Sequence, residues 1–253
     1  MSYNAFELSG KVAIVTGCNT GLGQGMAVAL ASAGCHVAGV NRSAADATRE
    51  RIEALGGRFI DIQADLSSTA PIADIVAQTL EAFGRIDILV NNAGIIRRDD
   101  ALEFSEEDWD AVIDTNLKTT FFLAQAVARQ FIAQGDGGKI VNIASLLSFQ
   151  GGIRVPSYTA SKSGVMGLTK LLANEWAKHG INVNAIAPGY METNNTEALR
   201  NDPQRSAEIL GRIPAGRWGA PEDLAGPVVF LASSASDYIN GHTLAVDGGW
   251  LAR

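Results

Sequence analysis

Cysteine and histidine are scarce in these 253 residues. Two cysteines, Cys18 and Cys35, cannot build a disulfide framework, and His36, His179 and His242 are too scattered to give metal-ligand spacing. Positive charge is short as well: 20 Lys and Arg stand against 27 Asp and Glu, a formal net charge of −7. That balance disfavours non-specific nucleic-acid binding and attachment to anionic membranes. An anionic ligand must therefore be met by locally placed arginines or helix N-termini. No apolar run approaches the ~20 residues that span a bilayer, and the first residues lack a basic segment followed by an apolar one. Linkers, low-complexity tracts and repeats are missing too. The expectation is one soluble, cytoplasmic domain over residues 1–253, with no metal and no nucleic-acid or membrane partner.

What the chain does have is 47% apolar residues and 27 glycines spread along its length, which suits many tight strand–helix turns. Short β-rich apolar runs at 11–16, 35–40, 58–63, 86–90, 139–143, 181–187 and 243–246 read as strands. Helical patterns follow most of them, with Ser43 placed to cap the second and Ser105 to open another through Asp108. Strand–helix alternation predicts an α/β fold, a doubly wound parallel sheet of Rossmann-like type with helices on both faces.

In such sheets, ligands lie beyond the C-terminal ends of the strands, and that is where the informative residues fall. Gly17, Gly21 and Gly23 form a loop between the first strand and helix, where bare backbone can approach a pyrophosphate on the helix N-terminus. The second strand ends at Asn41-Arg42, without the acid that would bond ribose hydroxyls; Arg42 suits a 2′-phosphate or is a solvated loop charge. Asp65, before Leu66, accepts from an adenine amino group or caps a turn, and Asn91-Asn92-Ala93-Gly94 line a ligand crossing or satisfy turn backbone. Asn116 interrupts a helical stretch over 109–131 and marks either a kink or a polar face. Ser145 follows the fifth strand. Tyr158 and Lys162, four residues apart, share one helix face, so the ammonium should pull the phenol below its usual ~10 and bring acid–base exchange nearer neutral pH.

The ordered set of Thr16-Gly17 to Gly23, Asn91 to Gly94, Asn116, Ser145, Tyr158 with Lys162, and Pro188-Gly189 resembles the short-chain dehydrogenase/reductase family across essentially the whole chain. The resemblance implies that Tyr158 is the general acid/base, that Lys162 lowers its pKa and binds the nicotinamide ribose, and that Ser145 bonds the substrate oxygen. Asn116 would hold a relay water. The glycine loop, including Asn19 and Leu22, would cradle the cofactor, with Asn41, Arg42, Asp65, Leu66, Asn92, Ala93 and Gly94 along the adenosine half. Pro188, Gly189, Met191 and Thr193 would hold the nicotinamide amide. The cofactor implied is NAD or NADP, and the assembly a homotetramer in which Trp250-Leu251 reach a subunit interface or pack within their own chain.

A narrower resemblance, carried by Ile96 to Asp99, Phe149 to Tyr158 and Val246 to Arg253, is to the sugar-acid group acting on 2-deoxy-D-gluconate or 2-dehydro-3-deoxy-D-gluconate. A carboxylate substrate needs a cation to offset its desolvation. Arg154, just before Tyr158, is the first candidate, with Gln150 contacting hydroxyls; Arg97 and Arg98 lie at the same rim. The polar segment at about 191–216 reads as a mobile lid. The alternatives are a short-chain reductase for a keto-acyl or polyol substrate, or a non-catalytic dinucleotide sensor.

Overall fold

Apolar β-rich segments too short for helices pair edge to edge, and they do so here in parallel. The computed structural model describes residues 4–253; residues 1–3 of the expected domain lie outside the described residues. The strands are β1 (Val12–Thr16), β2 (His36–Asn41), β3 (Phe59–Gln63), β4 (Ile88–Asn91), β5 (Gly138–Ile143), β6 (Ile181–Pro188) and β7 (Thr243–Val246). They form one sheet in the order β3-β2-β1-β4-β5-β6-β7. All pairings are parallel, for example Ile14 with Ala38 on one side and with Leu89 on the other. Chain order reverses between β1 and β4, which opens a crevice at their C-terminal ends.

The central strands are buried on both faces, as their continuous apolar runs require, while the edge strands β3 and β7 are partly open. On one face, Met26 and Leu30 of α1 (Gly21–Ser32), Ile52 of α2 (Asp46–Glu53) and Val228 and Leu231 of the later Ala225–Ala232 helix share a core. On the other, the core is built by Ile75 of α3 (Ile72–Phe83), Leu123, Val127 and Phe131 of α5 (Thr119–Gln134) and Leu172 of α6 (Pro156–Trp176). Ser43 does not cap α2. The helix starts three residues later, because Asp61 of β3 takes the Ala45 N–H at 2.9 Å, and the Ser43 hydroxyl instead accepts from the Asn19 amide.

α4 (Glu106–Ile113) is capped as its sequence predicts, Ser105 accepting from the Asp108 N–H. It runs into a single π-helical turn, Asp114–Lys118, in which the Thr119 N–H reaches five residues back to the Asp114 carbonyl. That extra residue turns Asn116 into the interior, where it is 1% exposed. The chain after β6 makes a 3₁₀ turn at Asn194–Thr196, then α7 (Glu197–Arg200) and α8 (Pro203–Arg212), the last capped by Asp202 with Pro203 in its first turn. α8 packs Ile209 into a satellite core with Leu146, Ile213, Trp218 and Trp250. Trp250 thus resolves its two readings: it is buried in its own chain. The Ala225–Ala232 helix is α9.

Candidate active site

The turns after β1 and β4 are tied to one another by Thr16. Its hydroxyl accepts from the Asn92 and Ala93 N–H groups at 3.0 and 2.9 Å, while the Asn92 amide donates back to the Thr16 and Gly17 carbonyls. Asn92 therefore satisfies turn backbone. Asn91 is buried and donates to Asn142 on β5. Between the turns lies a cleft of about 270 Å³. Its walls take in the glycine loop (Gly17, Asn19, Gly21, Leu22, Gly23), then Asn92, Ala93 and Gly94, and finally Tyr158, Lys162 and Thr193. Two glycines are obligatory. Gly17 has φ +65°, and a Cβ on Gly23 would stand 2.1 Å from the Gly17 carbonyl oxygen.

Other expected cofactor residues stand outside that wall. Asn41 is 3% exposed and fully engaged: its carbonyl accepts from the Asn19 N–H at 3.0 Å and its amide donates to Asp61 at 3.0 Å. An aspartate at 41 would face Asp61 carboxylate to carboxylate, which gives a local reason for the asparagine. Arg42 is exposed and lies near enough to Asp65 to stabilise its charge. Asp65 itself accepts from the Ser67 N–H, the turn-capping reading of that residue, and this bond is the main cause of its lowered pKa. Leu66 and Met191 are buried in apolar surroundings.

A second cavity of about 710 Å³ opens beside the first, a size typical of small-molecule sites. Tyr158 and Asn195 line both. Ser145, Gln150, Arg154, Pro188 and Gly189 also border the larger cavity. Pro156 starts α6, and Tyr158 and Lys162 share its inward face. Lys162 is 4% exposed, donates to the Ile143 carbonyl at 2.6 Å, and is pushed by burial down to about 8. Asn116 clamps the backbone of Ile95, accepting from its N–H at 2.8 Å and donating to its carbonyl at 2.9 Å, with Ser161 as a third partner. The kink reading of Asn116 is the one the π turn bears out.

The direction expected for Tyr158 is overturned. Burial raises its pKa above the usual value, and the groups that hold it down are the Ser145 hydroxyl and the charge of Arg98. The Lys162 ammonium lies over the phenol ring, 5.7 Å from its centroid, and is itself weakened by burial. A four-residue spacing guarantees a shared face, but not that the cation stands beside the oxygen.

Arginines supply the charge of the larger cavity: Arg98, Arg154, Arg205 and Arg212 all line it. Arg154, at φ +61°, pairs with Asp100 at 3.2 Å, and Arg205 with Glu208 at 3.0 Å. Arg97 turns away to Asp108. Sequence reasoning overlooked Arg212, which lies over the Trp250 ring at 4.0 Å.

A glycine-lined crevice at the switch point, joined through a tyrosine to a charged cavity, defines a dinucleotide-dependent dehydrogenase or reductase. The chain belongs to the short-chain dehydrogenase/reductase family; the family described as enoyl-(acyl carrier protein) reductase matches residues 17–251. It is 68% identical to the 2-dehydro-3-deoxy-D-gluconate 5-dehydrogenase of Escherichia coli K12 over 253 residues, all of both chains. It is 55% identical to the Bacillus subtilis protein of that name, covering 99% of this chain and 98% of the relative. Among solved structures, it is similar to an Agrobacterium tumefaciens protein assigned as 2-deoxy-D-gluconate 3-dehydrogenase with bound NADP. There the identity is 61%, the coverage 99% of this chain and 100% of that one, and the TM-score 0.92.

Proposed function

We propose that this chain oxidises a secondary alcohol of a deoxy sugar acid, in reversible exchange with NAD or NADP, with 2-dehydro-3-deoxy-D-gluconate as the first substrate to try. The observation that carries the reading is that Tyr158 borders both cavities, the glycine-lined cleft and the arginine-lined one. The names of the relatives at 68% and 55% identity support the sugar acid, and the bound NADP of the Agrobacterium structure supports the cofactor class.

The cleft fits a dinucleotide. Its loop is bare backbone where a Cβ would collide, and the buried Lys162 ammonium uses one of its three donors on Ile143, leaving two for ribose hydroxyls. When bound, the nicotinamide supplies hydride acceptance and donation. Tyr158 takes the carbinol proton during oxidation and returns it during reduction. Ser145, whose hydroxyl also accepts from the Leu147 N–H, donates to the substrate oxygen and steadies the charge that develops there. Asn116 fixes Ile95 against α6 and so keeps Lys162 in place behind the cleft. Thr193 and the Gly189 backbone stand at the mouth, and residues 191–216 act as a lid over the larger cavity, to which α8 contributes Arg205, Glu208, Ile209 and Arg212.

The domain acts in the cytoplasm and assembles as a homotetramer. No helix among the described residues is long and apolar enough to cross a membrane, and Trp109, Phe122 and Leu171 are exposed on α4, α5 and α6, as subunit contacts would require. The test follows reduced-nicotinamide absorbance with 2-dehydro-3-deoxy-D-gluconate and 2-deoxy-D-gluconate, against NAD and NADP in turn. Turnover of either acid is the expected outcome. Turnover of keto-acyl or polyol substrates alone would replace the substrate while leaving the reaction class intact.

A further inference from the structure

Four arginines line the larger cavity of a protein that is otherwise acidic, yet they are not equivalent. The charges of Arg154 and Arg205 are already met by Asp100 and Glu208. Arg98 and Arg212 have no carboxylate partner among the described residues. Arg98 donates to the Asn195 carbonyl at 2.9 Å, and its field reaches Tyr158. The Arg212 guanidinium lies over the indole of Trp250, its Cζ 4.0 Å from the ring centroid, with one N–H turned to the Gln150 carbonyl oxygen. That same oxygen accepts from the Trp250 indole N–H at 3.3 Å.

We infer that Arg212, carried on α8 and seated on Trp250, is the receptor for the substrate carboxylate, with the Gln150 amide N–H groups beside it. The inference rests on the sugar-acid reading above and deepens it. Packing on a buried indole holds the guanidinium before substrate arrives; with one Nη2 hydrogen turned to Gln150, the second Nη2 hydrogen and a neighbouring N–H remain as a fork for two parallel hydrogen bonds. Gln150 strengthens the same surface: with its oxygen occupied by Arg212 and Trp250, its amide hydrogens point elsewhere.

A division of labour follows from charge. A cation that grips the carboxylate is neutralised by it. If Arg98 took that role, its support for the Tyr158 phenolate would vanish in the complex that reacts. With Arg212 in that role, Arg98 stays positive beside Tyr158. Because Arg212 ends α8, an acid bound to it also ties that helix to the site, whereas a neutral analogue of the same shape does not.

The experiment compares the sugar acid with its primary amide, in the wild type and in Arg212→Met and Arg154→Ala, with cofactor affinity and thermal midpoint measured alongside. The wild type is expected to prefer the acid, and Arg212→Met to lower kcat/KM for the acid about 100-fold, mainly through KM. Its preference for acid over amide should shrink to a few-fold while NADP affinity holds. Arg154→Ala should keep the preference. A wild type that treats acid and amide alike sinks the sugar-acid reading itself. A wild type that prefers the acid, together with an Arg212→Met variant that keeps the preference, sinks the assignment to Arg212 alone. Should Arg212→Met unfold, Arg212→Lys replaces it: a point charge without the fork is expected to keep part of the preference and to raise KM about 10-fold, and an unchanged KM overturns the assignment.

Discussion

The two cavities that meet at Tyr158 are built from different materials. The smaller is made of backbone: a turn after β1, a turn after β4, and glycines that let them come close. The larger is made of side chains, with arginines and large apolar groups brought by loops, by α8 and by the chain end at Trp250. A backbone-made cleft binds what every nicotinamide dinucleotide has in common. A side-chain-made cavity can be respecified by a few substitutions, which is how one fold serves many substrates.

Substitutions can break this contrast at the boundary or on either side. Tyr158→Phe, at the boundary, should cost kcat about 10³-fold and leave dinucleotide affinity nearly intact, as read by steady-state kinetics and fluorescence titration. Gly23→Ala strikes the cleft alone. Its Cβ has nowhere to go 2.1 Å from the Gly17 carbonyl, so dinucleotide Kd should rise about 100-fold, with KM for the sugar acid at saturating cofactor little moved.

Lys162→Met separates function from stability. Burial depresses Lys162 from 10.5 to about 8, so below about pH 8 the folded protein carries a charge that the unfolded chain solvates more cheaply. Removing it should abolish turnover and raise the thermal midpoint at pH 7 by on the order of 5 °C. The gain should shrink as pH climbs from 8 towards 10.5, where both states give up the proton. A gain that grows with pH would reverse the sign and remove the buried-charge explanation. The smallest effect belongs to the rim. Arg42→Ala should weaken NADP about 10-fold relative to NAD, in parallel titrations of the two cofactors.

The parallel strand–helix architecture and the cleft were legible because their signals are local. Gly17 to Gly23 and Tyr158 to Lys162 lie within a turn or two of each other, and their spacing carries over directly into geometry. Ser145 and Asn92 were legible as residues at strand ends. What escaped depends on distant partners. Arg212 reaches Gln150 from 62 positions away, and nothing near it in the chain distinguishes it from Arg205. Arg154, favoured by its position beside Tyr158, is met by Asp100, a pairing that only the folded loop brings about. Asn41 was read as facing the cofactor; the structure turns it inward because Asp61, on the neighbouring strand, needs a donor. Depth decided the remaining miss, since burial and an ammonium over the ring face outweigh a favourable spacing at Tyr158.

The π turn at Asp114–Lys118 amounts to one supernumerary residue in what would otherwise be a continuous rod from α4 into α5. In a regular helix each residue advances the face by about 100°, and the wider π turn takes up the extra residue locally. α4 packs on α6, while Leu123, Val127 and Phe131 of α5 pack against the sheet. Deleting one residue from the turn would return this stretch to regular α-helix. It would also swing Asn116 off the backbone of Ile95, so the most regular version of this helix would be the one that undoes the support behind Lys162.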